Sequence, residues 1–528
     1  MKELKFEALS VEQKIGMVTC ALFDPWDRRP EADEYVYEKI RNHALGCVWV
    51  YSMIPDFEEV MAKLRETADY PLLIITDAGS GLPPYEIGRH NALGMVDSED
   101  LAYTFGKVTA INAHNKGFNI VCNPILDMCK GASVVGQNTG SIGSDKHRVA
   151  KLAAAVARGM HDGGVLTVGK HYPSAHCDVP IDGHMAEMIS TATKEELLEN
   201  NLYPYRELMK EDLLDGIMTT HVRIPSIDPD YPASLSKKVN AVIRDLGYKG
   251  FAVSDALSMM GIVAKFGETD SKGLAVENGN DIALVWCPDY RDGYDAVYNC
   301  YKKGILTDER LDEATKRVLD AQHKVFRMQP KYTQITQEDI VAINRINTDS
   351  VYGKADDGLD VSVSRDGRHL FIVLAENETD IKDGKLSVDT FSGGWYDPAR
   401  IIKRINELFP NSETVALREF PTIVEIARAL HKATEYDDVV LVIKMEGRAY
   451  AGRDEYTPRI ISMAEAMQVS GQVAAVVHFG SPFALEAMPH FPRLIIGANA
   501  RDCVMASLEV LAGNYPAKGK LTYSVNLK

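Results

Sequence analysis

Residues 145–171 read D-K-H-R-V-A-K-L-A-A-A-V-A-R-G-M-H-D-G-G-V-L-T-V-G-K-H. Two periods meet in that stretch. Over Asp145–Asp162, the residues Val149, Leu152, Ala153, Val156 and Met160 fall on one face at helical spacing, which predicts an amphipathic helix. Two glycines later Val165–Gly169 is continuously apolar, too short for a helix and of the right length for a buried strand. A helix returning to a doubly buried strand is the repeating unit of a parallel sheet with helices over its faces. The apolar run then breaks into a loop, and Val168–His184 gathers Lys170, His171, His176, Asp178, Asp182 and His184. A surface loop with no chemistry to perform seldom holds so many titratable groups.

The same unit recurs on both sides. Short apolar runs stand at Met17–Phe23, Gly46–Tyr51, Pro71–Thr76, Phe118–Asn123, Val165–Gly169, Gly216–Thr220, Gly250–Val253 and Asp281–Trp286. Helical stretches separate most of them: Asp56–Thr67, Glu99–Lys116, Asp145–Asp162, Lys194–Leu213, Lys237–Leu246 and Ser271–Glu277. Ser10 with Gln13 gives the first helix its start signal. Eight strands alternating with helices predict an α/β fold, a (β/α)8 TIM-like barrel over residues 1–328, with an open doubly wound sheet as the alternative. Residues 329–366 are polar and read as a linker. A smaller α/β sheet domain is expected over 367–528, with strands at His369–Leu374, Val415–Arg418, Asp438–Ile443, Val473–Phe479 and Leu494–Ile496.

The chain of 528 residues is long enough for two domains, and its formal charge of −17 argues against nucleic acid or an anionic membrane surface as partner. Eight scattered cysteines without a C-x-x-C pair fit reduced, buried thiols, and nowhere do eighteen apolar residues run together. With no apolar leader at the N-terminus, the expected location is cytoplasmic. No H-E-x-x-H, H-x-H, P-loop or dinucleotide fingerprint occurs, so neither metal nor cofactor is expected.

Several predicted strands end on a polar residue, Asp77, Asn123, Lys170-His171, His221 and Asp255, at the end where a barrel builds its active site. Asp255, following Ser254, is a carboxylate able to attack an anomeric carbon, hold a metal or accept a proton. Asp182 and His184 are separated by one glycine, so the carboxylate can hold one ring nitrogen while the other faces a substrate. Asp77, Lys170, His171 and His176 suit hydrogen bonding to hydroxyls of a small carbohydrate, and His221 joins them as a candidate substrate contact.

K-H-Y-P-S-A-H-C-D-V-P-I-D-G-H at 170–184 resembles the K-H-F-P-G-H-G-D-T-x-x-D-S-H signature of β-N-acetylglucosaminidases in glycoside hydrolase family 3. F-A-V-S-D-A-L-S-M-M at 251–260 is similar to that family's nucleophile segment. L-S-V-E-Q-K-I-G at 9–16, N-P-I-L-D at 123–127, M-T-T-H-V-R-I-P-S-I-D at 218–228 and P-A-S-L-S at 232–236 extend the likeness, and V-V-H-F-G-S-P-F at 476–483 and P-A-K-G-K-L at 516–521 carry it into the second domain. The resemblance implies Asp255 as nucleophile, His184 as general acid/base, Asp182 orienting it, and Asp77, Lys170, His171 and His176 gripping the terminal sugar. Two departures bear on which sugar. The family's R-S-F-G-x-D reads here Gly140-Ser-Ile-Gly-Ser-Asp145, without the arginine, and the signature loop carries an extra residue near Ala175 with Cys177 at its second glycine.

The expected activity is that of a retaining exo-β-glycosidase releasing terminal β-N-acetylglucosamine. The alternatives are a β-glucosidase, with Glu446 or Glu455 as acid/base, a β-glycoside phosphorylase, and a sugar-binding member without catalysis. The sequence leaves open whether the second domain caps the site, pairs two copies into a homodimer, or only stabilises the barrel.

Overall fold

Eight short strands, buried on both faces, build the first sheet: β1 Thr19–Phe23, β2 Cys47–Val50, β3 Leu73–Asp77, β4 Ile120–Cys122, β5 Leu166–Tyr172, β6 Gly216–Thr219, β7 Phe251–Ser254 and β8 Ala283–Leu284. Each pairs in parallel with the next through β7, β8 pairs with β1, and the parallel bridge Val253↔Ile282 brings β7 and β8 together and closes the ring. This is the expected (β/α)8 barrel, and the open sheet is excluded. The computed structural model describes residues 2–24, 28–129, 140–174, 181–375, 378–382, 385–389, 395–446 and 454–528.

The helices follow from their sequence signals. Ser10 caps Val11–Met17 in a reciprocal capping box with Gln13. Asp145 caps helix Lys146–Asp162 through the Arg148 amide at 2.8 Å. Helix Glu99–Lys116 packs on helix Lys146–Asp162 almost backbone to backbone: a Cβ on Gly106 would fall 2.0 Å from the Val156 carbonyl oxygen.

Carboxylates at the two ends of the strands do different things. At the strand N-termini they are structural clamps. Asp281, just before β8, accepts from Arg244, Arg310 and Arg317 at 2.9, 2.8 and 3.0 Å. Asp215, just before β6, accepts from His161 at 2.7 Å and pairs with Lys324 at 2.5 Å. Burial works against its charge, but His161 and Lys324 outweigh that and bring its pKa down to about 2. At the strand C-termini stand Asp77 and Asp255, where a barrel presents its chemistry.

A second sheet of six strands runs in the order β9-β14-β13-β12-β10-β11, where β9 is Tyr352–Ala355, β10 His369–Ala375, β11 Glu413–Arg418, β12 Asp438–Met445, β13 Val473–Gly480 and β14 Arg493–Gly497. Only β9 is antiparallel to its neighbour in this sheet. Two compact units result, and neither is one continuous piece of chain: the barrel unit comprises Met1–Tyr85, Glu99–Met128 and Asp145–Ile340, the second Glu86–Ser98, Cys129–Ser144 and Val341–Lys528. The stretch 329–366, expected as linker, holds helix Gln337–Asp349 and strand β9. Its polar composition hides the helical spacing of Ile343 and Ile346, both buried. Within the second unit a Cβ on Gly94 would fall 1.8 Å from the Ile142 oxygen, so helix Arg89–Val96 and the 140–144 turn share that core.

Candidate active site

Three carboxylates at the barrel mouth each hold one cationic or imidazole partner. Asp77, last residue of β3, accepts from Lys170 Nζ at 2.7 Å, and its other oxygen takes the Gly79 amide at 3.2 Å. Lys170 and His171 lie on β5 itself, not in the loop after it. The strand continues to Tyr172 through a register shift against β6 at Lys170/Tyr172. That irregularity lets a polar pair sit inside a strand whose apolar pattern ends at Gly169. Burial of Lys170 disfavours its ammonium, yet Asp77, Cys122 and Asp255 outweigh burial and raise its pKa.

His171 Nδ1 donates to Asp127 Oδ2 at 2.7 Å, while the His171 amide donates to the other oxygen at 3.1 Å. Sequence reading left Asp127 out. Its signal was the N-P-I-L-D segment, but its partner lies forty-four residues on. Asp182 is fully buried at its side chain, and Oδ1 accepts from His184 Nδ1 at 2.8 Å and the His184 amide at 2.9 Å. Burial lowers the His184 pKa, but the hydrogen bond and charge of Asp182, with Asp255 adding, turn the net shift upward.

Asp255 follows β7. Its Oδ1 takes the Ala256 amide at 2.8 Å, and its own amide donates to the Thr219 carbonyl at 2.9 Å. Burial raises its pKa, and His171, His221, the Ala256 amide and His184 outweigh burial, so the carboxylate stays ionised below the ordinary aspartate range. The charge of Asp255 also raises the pKa values of Lys170 and His184.

His221 has a different place from the one expected. It is wholly buried; Nε2 donates to the Ala256 carbonyl at 2.9 Å and Nδ1 accepts from Ser234 at 2.8 Å. Both ring nitrogens are spent inside the barrel, which leaves none for a sugar hydroxyl. Its effect is to fix the peptide after Asp255. Burial lowers its pKa, in keeping with a neutral ring. His176 lies outside the described residues. Two aromatic residues missed from sequence also stand at strand ends. Tyr51, after β2, and Trp286, after β8, meet edge to face at 6.1 Å between centroids. Burial and the charges of Asp77 and Asp24 push the Tyr51 hydroxyl well up. Glu446, the alternative acid, accepts from Arg89 at 3.1 Å, Asn499 at 3.2 Å and Trp395 at 3.1 Å within the second unit.

The profile described as Glycosyl hydrolase family 3 N terminal domain matches residues 10–321. The chain belongs to glycoside hydrolase family 3. Among curated relatives, a β-hexosaminidase from Tolumonas auensis is 32% identical over 272 residues, 48% of this chain and 79% of that one. A β-hexosaminidase from Haemophilus influenzae is 28% identical over 242 residues, 43% and 67% of the two chains. Among solved structures, a family 3 β-N-acetylglucosaminidase from Paenibacillus sp. superposes with a TM-score of 0.81 at 22% identity, covering 99% of this chain and 100% of that one. A β-glucoside phosphorylase superposes with a TM-score of 0.79 at 20% identity, covering 98% and 95%. This family 3 chain is a glycoside hydrolase with the fold of both structures. No helix among its described residues is long and apolar enough to cross a membrane.

Proposed function

We propose that this family 3 glycoside hydrolase is a retaining exo-β-glycosidase releasing terminal N-acetylglucosamine, with Asp255 as nucleophile and His184, oriented by Asp182, as acid/base. The observation that carries the reading is the Asp182–His184 hydrogen bond of 2.8 Å, beside which the charge of Asp255 also acts on His184. Asp182 commits Nδ1, so proton traffic falls to Nε2. In the first step an Asp255 oxygen bonds to the anomeric carbon, the bond to the aglycone oxygen breaks, and His184 gives that oxygen its proton. In the second, water bonds to the same carbon, His184 takes the water's proton, and the Asp255 ester bond breaks, restoring the β configuration. Asp77, Lys170 and His171 hold the sugar hydroxyls. Asp127 keeps the His171 ring in one orientation.

The choice of N-acetylglucosamine is supported by the β-hexosaminidase relatives and by the Asp182–His184 spacing. A second reading, phosphorolysis, is favoured by the same dyad: an imidazole repels an incoming phosphate less than a carboxylate would. The test is turnover of nitrophenyl β-N-acetylglucosaminide, glucoside, xyloside and galactoside, each with and without inorganic phosphate. Release of N-acetylglucosamine independent of phosphate supports the hydrolase. Rate that rises with phosphate and yields a glycosyl phosphate replaces it with a phosphorylase, and preference for glucoside removes the sugar assignment.

A further inference from the structure

If His184 protonates the leaving oxygen, whatever surrounds His184 surrounds the aglycone. The turn that carries it is closed by the Met185 and Ala186 amides on the Asp182 carbonyl at 2.9 and 3.0 Å. It is also fastened to the start of helix Met260–Phe266: the Met260 amide donates to the His184 carbonyl at 3.1 Å and the Gly261 amide to the Gly183 carbonyl at 3.3 Å. A Cβ on Gly261 would sit 2.7 Å from the Gly183 oxygen, so glycine there is what lets helix and turn approach so closely.

Two methionines spring from either side of that fastening. Met185 follows His184 directly and is 52% exposed; Met260 donates the bond and is 44% exposed. Single exposed apolar residues are ordinary on a protein surface. These two meet the same turn: Met185 follows His184 in the chain, and the Met260 amide bonds the His184 carbonyl. The charged neighbours are occupied among themselves, since Glu187 accepts from Arg223 at 2.9 and 3.1 Å and lies 3.7 Å from Lys265. Methionine is unbranched, uncharged and polarisable, and fits apolar groups of varied shape.

We propose that Met185 and Met260 form an apolar lip of the leaving-group subsite, so that the enzyme favours alkyl or aryl aglycones over sugar aglycones. This rests on the acid/base role of His184 proposed above. The test measures kcat/KM for hexyl and methyl β-N-acetylglucosaminides and the two corresponding glucosides, all alkyl leaving groups with similar need of the proton. The hexyl-to-methyl ratio is expected to be about tenfold, a modest part of what five fully buried methylenes would give. The Met185→Gln/Met260→Gln double variant should bring the ratio close to one, and the Met185→Leu/Met260→Leu variant should keep it. A ratio near one in the native chain, or a ratio unmoved by glutamine, overturns the lip while leaving the glycosidase reading intact. Cleavage of none of the four glycosides by the native chain overturns both.

Discussion

Replacing Asp182 by asparagine tests the dyad with the least disturbance of shape. The Asp182 side chain is completely buried, and its Oδ1 takes two donors, His184 Nδ1 at 2.8 Å and the His184 amide at 2.9 Å. An asparagine oxygen can accept both, so these two bonds are kept while the charge is removed. Hydrogen bonds to charged groups contribute about 1.5–3 kcal/mol against about 0.5–1.5 for neutral ones, so the change costs the imidazolium about 1–1.5 kcal/mol, or roughly tenfold in the proton-transfer step. The assay is a leaving-group series, dinitrophenyl against phenyl β-glycosides of the preferred sugar. The phenyl glycoside, which needs a proton, should lose about tenfold in kcat/KM, and the dinitrophenyl glycoside, which scarcely needs one, much less. The pH profile carries a second sign. Burial lowers the His184 pKa while Asp182 and Asp255 raise it, the net shift being upward. Removing the Asp182 charge therefore moves the basic limb of kcat/KM toward lower pH. Equal losses on both leaving groups with an unmoved basic limb would refute the reasoning, because a purely structural Asp182 acts on every substrate alike.

Asp255→Asn should cut turnover at least about a thousandfold, and azide should partly rescue Asp255→Ala by giving an α-glycosyl azide, detected by NMR. In the native enzyme the acidic limb should fall below the ordinary aspartate range, since burial of Asp255 is outweighed by His171, His221, the Ala256 amide and His184. Asp215→Asn tests the barrel floor: a pKa lowered from 3.8 to about 2 is worth about 2 kcal/mol at neutral pH. Because the folded pKa is the lower one, that stability is present above the unfolded value and fades as pH falls toward 2, so the Tm gap between native and variant should narrow between pH 5 and pH 2.

The barrel was legible because strands covered on both faces must be apolar along their whole length. Cys47–Val50 and Phe251–Ser254 are buried at every position, and their runs stand out in the sequence. Helix Arg89–Val96 was not legible, since six of its eight residues are buried and no polar face marks it. Nor were the unit boundaries, because Glu86–Ser98 and Cys129–Ser144 belong to the second core while lying between barrel strands in the chain. In the site, Asp182 and His184 were readable because they are near neighbours in sequence. Asp127, Tyr51 and Trp286 were not, because their meaning lies in partners that only the closed ring supplies. His221 was misread for the opposite reason: a histidine after a strand looks like a ligand contact until Ser234 and the Ala256 carbonyl are seen to take both nitrogens.

Four of the carboxylates at the strand C-termini and the loops after them, Asp77, Asp127, Asp182 and Asp255, divide three to one, and the division supports Asp255 as the proposed nucleophile. Asp77, Asp127 and Asp182 each accept a side-chain hydrogen bond from Lys170, His171 or His184 at 2.7–2.8 Å. Asp255, among the described residues, accepts only the Ala256 amide, and on one oxygen. Its charge is stabilised by the imidazoles of His171, His221 and His184, without a side-chain donor on Oδ2 among the described residues. A carboxylate bonded to lysine or a dyad histidine would have to break that bond before reaching an anomeric carbon. Asp255 would not. It is held ionised by field and fixed by backbone, through its own amide to Thr219 and through His221 on the Ala256 carbonyl. Ionisation with one oxygen clear of side-chain donors is the state the proposed nucleophile needs, and Asp255 has it among the described residues.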